Sequence, residues 1–202
     1  GVPENDKTAV KWYTKAAERG HTEAQNSLGS MYEFGKGVPE NDKTAVRWYT
    51  KAAEKGHAKA QFNLGTMYDY GNGVPENDKT AVKWYTKAAE QGDAMAQFRL
   101  GLMYNSGEGV TKNDKAAVKW GTLAAEQGNT GGQAMLGIMY QYGKGVLTDN
   151  RRAYMWYNLA SYNGYEKSGE NKDKLAKEMT PADISKAQDM SSRCLESNYT
   201  DC

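Results

Sequence analysis

The string GVPENDKTAVKWYTKAAE at residues 1–18 returns at 37–54 with one change, Lys11 becoming Arg47, and again at 73–90 with lysine restored. Weaker copies begin at Gly109 and Gly145. A strict period of 36 residues constrains the fold more tightly than anything else in the chain. Every unit must be the same small element, and it can bury its apolar face only by stacking on its neighbours.

Each unit reads as two helices. In the first type, Ala9, Trp12, Tyr13, Ala16 and Ala17 share one helical face. Asn5-Asp6 precede it as an N-cap signal, and Gly20 stands where a left-handed C-terminal cap favours glycine. In the second type, Ala24, Leu28, Met31 and Tyr32 make the stripe, with Gly29 placed to let two helices approach. Gly35-Lys36-Gly37-Val38-Pro39 then turns the chain. Copies of this second helix are predicted at 21–34, 57–70, 93–106 and 129–142. The Trp12, Trp48, Trp84, Trp120 and Trp156 series, flanked by Ala, is expected in the core, with a truncation cost of ~3–5 kcal/mol.

Composition becomes intelligible in this frame. Leu, Ile, Val and Phe total 24 residues, about 12%, and mean hydropathy is −0.85. Such poverty belongs to a disorder signature only when net charge is high, and here the net charge is +1. Ala and amphipathic aromatics at fixed positions build the core instead. Charge neutrality also argues against a nucleic-acid binder. No apolar run approaches the ~18 residues of a membrane span. The sequence opens Gly1-Val2-Pro3 without an initiator Met or a signal-peptide pattern, which reads as either a processed form or an engineered excerpt of a longer chain.

The units resemble the Sel1-like repeat family, a branch of the tetratricopeptide-like α-solenoids. The resemblance rests on Ala60, Leu64, Gly65, Tyr68, Gly71, Gly73 and Val74, then Asp78, Lys79, Ala81, Trp84, Tyr85, Ala88, Ala89 and Gly92. It implies an all-α, right-handed solenoid (an α/α superhelix) of about eleven helices, covering residues 1–164 as about four and a half units. In the family's phase the chain begins inside a unit, with a helix whose partner is missing. Residues 165–202 depart from the pattern and are expected to form a divergent C-terminal cap. In it, Thr180-Pro181-Ala182-Asp183 restarts a helix with Thr as N-cap and Pro at the first position.

Cys194 and Cys202 either close the tail as a local disulfide, contributing about 2.6 kcal/mol at most, or stand as free thiols. Endings of this kind resemble those of exported bacterial members of the family. That resemblance implies a periplasmic or secreted protein.

Nothing in the array breaks the repeat as catalysis would require. His21 and His57 share a repeat position with Asp93 and Asn129, which suits helix capping. No G-x-S-x-G, P-loop or H-E-x-x-H occurs. No metal and no cofactor is expected. A cysteine-rich branch of the family implies an alternative, a protein that binds or hydrolyses cell-wall or β-lactam compounds. That branch pairs cysteines in nearly every repeat, whereas these repeats have none. The chain also lacks S-x-x-K, S-D-N and K-T-G; Lys7-Thr8-Ala9 is the nearest string.

The units differ from one another unevenly. Units 2 and 3 differ at nine of 36 positions, eight of them in the second half. In related solenoids that half lines the concave surface. Positions 23, 27, 30 and 34 have helical spacing, and their face becomes apolar toward the C-terminus. Met95, Arg99, Leu102, Met135, Ile138 and Tyr142 are its candidate partner-binding residues, for a peptide or helix of a partner protein docked in the concave groove. The competing possibility is that these side chains pack against one another or the cap.

Overall fold

The computed structural model describes residues 4–200 and 202. Among them are eleven α-helices and no strand: α1 (Glu4–Glu18), α2 (Thr22–Glu33), α3 (Asp42–Glu54), α4 (Ala58–Tyr70), α5 (Asp78–Glu90), α6 (Ala94–Ser106), α7 (Asp114–Ala125), α8 (Thr130–Tyr142), α9 (Asn150–Tyr162), α10 (Glu166–Ala176) and α11 (Pro181–Glu196). They form two compact units, residues 1–96 and 97–202. In the first, α1 packs on α2, α2 on α3, α3 on α4 and α4 on α5. In the second, α7 packs on α8 and α8 on α9, while α9 also takes α10 and α11.

The repeat dictates where helices start. Asn41, Asn77 and Asn113 each accept the N–H three residues on, at 2.9–3.0 Å, which satisfies one of a helix's orphan donors. Each also donates its own N–H to a tyrosine carbonyl of the helix before it, Tyr32, Tyr68 or Tyr104. Asn5, expected to cap the first helix, lies inside α1 instead. At α11 the expected cap forms, Thr180 Oγ1 accepting from Asp183 N at 3.2 Å.

The tryptophan expectation needs correcting. Trp12 is exposed and Trp48, Trp84 and Trp120 are only half-buried. Their outer faces meet lysine, as where Lys51 Nζ lies 4.2 Å from the Trp48 ring centroid. Of this series Trp156 alone is buried, in a cluster that includes Leu136 of α8, Leu159 of its own helix and Cys194 of α11. In the units that begin at residues 37, 73 and 145 the tyrosine one residue later is buried, with Tyr49, Tyr85 and Tyr157 at most 1% exposed, whereas Tyr13 of the first unit is 39% exposed.

Each of these rings lies on a glycine of the preceding helix. A Cβ added at Gly29 or Gly65 would sit 2.7 Å from the Tyr49 or Tyr85 ring, and one at Gly137 would collide with Tyr157. Each hydroxyl then donates to the side chain four residues after that glycine. Tyr49 bonds Glu33 at 2.5 Å, Tyr85 bonds Asp69 at 3.0 Å and Tyr157 bonds Gln141 at 2.7 Å. Burial pushes the Tyr49 and Tyr157 hydroxyls well above their ordinary pKa and holds them as donors. Burial also raises the Glu33 carboxyl, partly offset by the bond from Tyr49.

In the fourth unit Gly121 stands where the tyrosine should be, and Met135 fills the space. An added Cβ at Gly121 would lie 3.5 Å from the Met135 Cε. Met135 is therefore 7% exposed, within a cluster with Ala117 and Met139.

A second periodic device is polar. Gln25, Gln61, Gln97 and Gln133 are at most 4% exposed. The side-chain amides of Gln25, Gln61 and Gln133 donate to Ala17, Ala53 and Ala125 carbonyls at 3.0–3.3 Å. Gln91, Gln127 and Asn163 then donate to the oxygens of Gln61, Gln97 and Gln133 at 2.7–3.0 Å. Lys55 occupies the equivalent place after α3 and reaches the Gly20 carbonyl at 2.8 Å. The Gln25 side-chain oxygen is consequently left without a hydrogen bond.

Candidate partner-binding face

The variable positions of the repeat lie on the second-type helices, and the structure distributes them unequally. On α6, Met95 is 42% exposed, whereas Arg99 and Leu102 are half-buried. Leu102 leans on the Met135–Met139 cluster. Met135, expected at the surface, is in the core for the reason given above, so it is not available to a partner. Ile138 and Tyr142 are the exposed pair, at 39% and 65%. They lie four residues apart on α8 and share one face.

Ile138 and Tyr142 border a cleft of about 230 Å³. Tyr157 of α9, Gln141 of α8, and Asn171 and Lys174 of α10 complete its lining. The competing possibility raised by the sequence, packing against neighbours or the cap, therefore holds for Leu102 and Met135 but not for Ile138 and Tyr142. The repeat period could have pointed to the α10 residues: Asn171 and Lys174 stand 36 residues after Met135 and Ile138. The divergence of α10 from the family pattern hid this alignment.

Both histidines stand at helix N-cap positions, but only His57 caps with its side chain. His57 Nδ1 accepts from Ala60 N at 3.2 Å, and its Nε2 pairs with Glu23 at 2.6 Å. His21 makes no capping bond. The structure joins Cys194 to Cys202, with Cα atoms 4.7 Å apart. Among the described residues, no group of His, Cys, Asp and Glu is placed to hold a metal ion, and no helix is long and apolar enough to cross a membrane.

These features define a helical-repeat protein whose framework is nearly constant and whose second-type helices carry the differences. The Sel1 repeat model matches residues 1–21, 22–57, 58–93, 94–129 and 131–165. The chain belongs to the Sel1 repeat family, whose members are generally non-catalytic scaffolds for protein interaction. The crystal structure of a Sel1 repeat protein from Oxalobacter formigenes is similar, with 42% identity and a TM-score of 0.74. That match covers 78% of this chain and 65% of the Oxalobacter chain.

A protective antigen present in uropathogenic Escherichia coli strains, displaying an SLR fold, is 29% identical with a TM-score of 0.51. It matches over 98% of this chain and 59% of its own. An uncharacterized protein of Neisseria meningitidis serogroup B is 66% identical over 29 residues, which are 14% of this chain and 6% of that protein.

Proposed function

We propose that the protein is a non-catalytic scaffold that holds a peptide or helix of a partner protein on the variable face of its second-type helices, centred on Ile138 and Tyr142. The observation that carries this reading is their exposure beside a cleft, on the face where the units differ most. Selection for stacking keeps the framework positions alike from unit to unit, and it leaves this face free to change. Aromatic and apolar anchors at a cleft are what binding hot spots are made of.

The test uses a displayed library of random twelve-residue peptides, selected against the whole chain. Peptides so obtained are expected to bind the Ile138→Asp, Tyr142→Ala double variant at least ~30-fold more weakly, with its far-ultraviolet circular dichroism unchanged. Equal binding to the folded double variant would overturn the assignment of the face.

The same proposal places the protein outside the bacterial cytoplasm. Its support is the cysteine pair at the tail, since structural disulfides persist in oxidising compartments. Thiol titration in denaturant, on protein purified from its native host without reductant, is expected to find no free thiol. Two free thiols per chain would remove the support for export.

A further inference from the structure

The cleft on α8 and α10 has a chemistry of its own, and the inference drawn from it rests on the face proposed above. We propose that it recognises a carboxylate: the side chain of an Asp or Glu in the docked segment, beside an apolar residue that packs on Ile138 and Tyr142. Its polar lining offers donors and holds no charged acceptor. Gln141 spends its oxygen on the Tyr157 hydroxyl, at 2.7 Å, which leaves its two N–H groups. Asn171 adds an amide and Lys174 an ammonium, and no carboxylate lines the cleft. A carboxylate can accept from all three, and charge-assisted bonds are the stronger kind.

The residue that accepts from the buried tyrosine hydroxyl is a carboxylate at Glu33 and Asp69, and an acidic ligand would be repelled there. At Gln141 the acceptor is neutral. The row on which Lys174 falls reads Ser30, Thr66, Leu102, Ile138, Lys174, so the cation appears only at the end of the array. Lys167 follows Gly131 on the neighbouring row, and α10 carries three lysines, Lys167, Lys172 and Lys174, against three acids, Glu166, Glu170 and Asp173. Glu178, one period after Tyr142, lines a different cleft, with Arg151, and Glu170, four residues before Lys174, is not among the residues that line this one.

The test takes the library-selected peptides and resynthesises them as C-terminal amides, so that side chains are their only carboxylates. Asp or Glu next to Leu, Ile, Phe or Met is expected to dominate the selected sequences. Changing that acid to its amide, or the protein to Gln141→Glu or Lys174→Glu, is expected to weaken binding about tenfold or more. Gln141→Glu keeps an acceptor for Tyr157, as Glu33 does for Tyr49, and Lys174 is exposed, so both variants are expected to fold.

Peptides that depend on Ile138 and Tyr142 yet bind both charge variants like the parent would overturn carboxylate recognition while leaving the docking face standing. A selection that yields no peptide dependent on Ile138 and Tyr142 would overturn both.

Discussion

Tyr85→Ala is expected to lower the unfolding free energy by about 3–5 kcal/mol, whereas Trp84→Ala, one residue away and the larger side chain, should cost about 1–2 kcal/mol. The Tyr85 side chain is fully buried. Its ring packs on the Phe62 ring, with centroids 5.7 Å apart, and against Gly65. Its hydroxyl satisfies Asp69 and Thr66 at 3.0 and 3.2 Å. Truncation removes the ring from a space that α4 and α5 cannot close, so a cavity term adds to the transfer term. Trp84 is half-buried, with Lys83 and Lys87 over its ring, and water replaces much of what its removal vacates. Denaturant unfolding of the two variants measures both costs. A Trp84→Ala loss equal to or above that of Tyr85→Ala would overturn this ranking of the core.

The Trp–Tyr ranking marks where sequence reasoning stopped. The period of 36 residues predicted the helix pairs, and the helices begin and end within a residue or two of the expected bounds because capping asparagines and turn glycines repeat with it. Trp84 and Tyr85 are adjacent, however, and both fall on the alanine face. Helical spacing alone cannot say which one points between the helices. What decides is the glycine across the interface, since Gly65 admits one ring and its position selects Tyr85.

The candidate site was legible to a similar depth. Ile138 and Tyr142 are where the pattern of variation put them. Met135 went inside because Gly121, remote in sequence, left a space that a flexible thioether could fill. The donors of α10 were in register with the same face but belonged to a helix whose sequence no longer looked like a repeat.

The glycine–tyrosine contact can be tested from its other side, and the chain supplies its own control. Alanine is the better helix former by about 1 kcal/mol, so a Gly→Ala change inside an exposed helix would stabilise. At Gly65 the new methyl would lie 2.7 Å from Cδ1 and 2.8 Å from Cε1 of the Tyr85 ring. That ring is held at its far end by Asp69 and Thr66 and cannot slide away. Gly65→Ala is therefore expected to destabilise by about 3 kcal/mol, the upper end of ordinary overpacking costs.

Gly101, one period later, faces Gly121 in place of a ring, and an added Cβ there would meet the Met135 methyl at 3.2 Å and the Ala117 carbonyl at 3.3 Å. A methionine terminus yields readily, so Gly101→Ala should stay within about 1 kcal/mol of the parent. The decisive measurement is a double-mutant cycle of Gly65→Ala with Tyr85→Ala. Once the ring is gone, the methyl no longer collides, the helix preference returns, and Gly65→Ala should become neutral or stabilising. If Gly65→Ala costs the same in both backgrounds, the penalty belongs to α4 alone, and the interlocking of glycine with tyrosine would not be what sets the spacing of these helices.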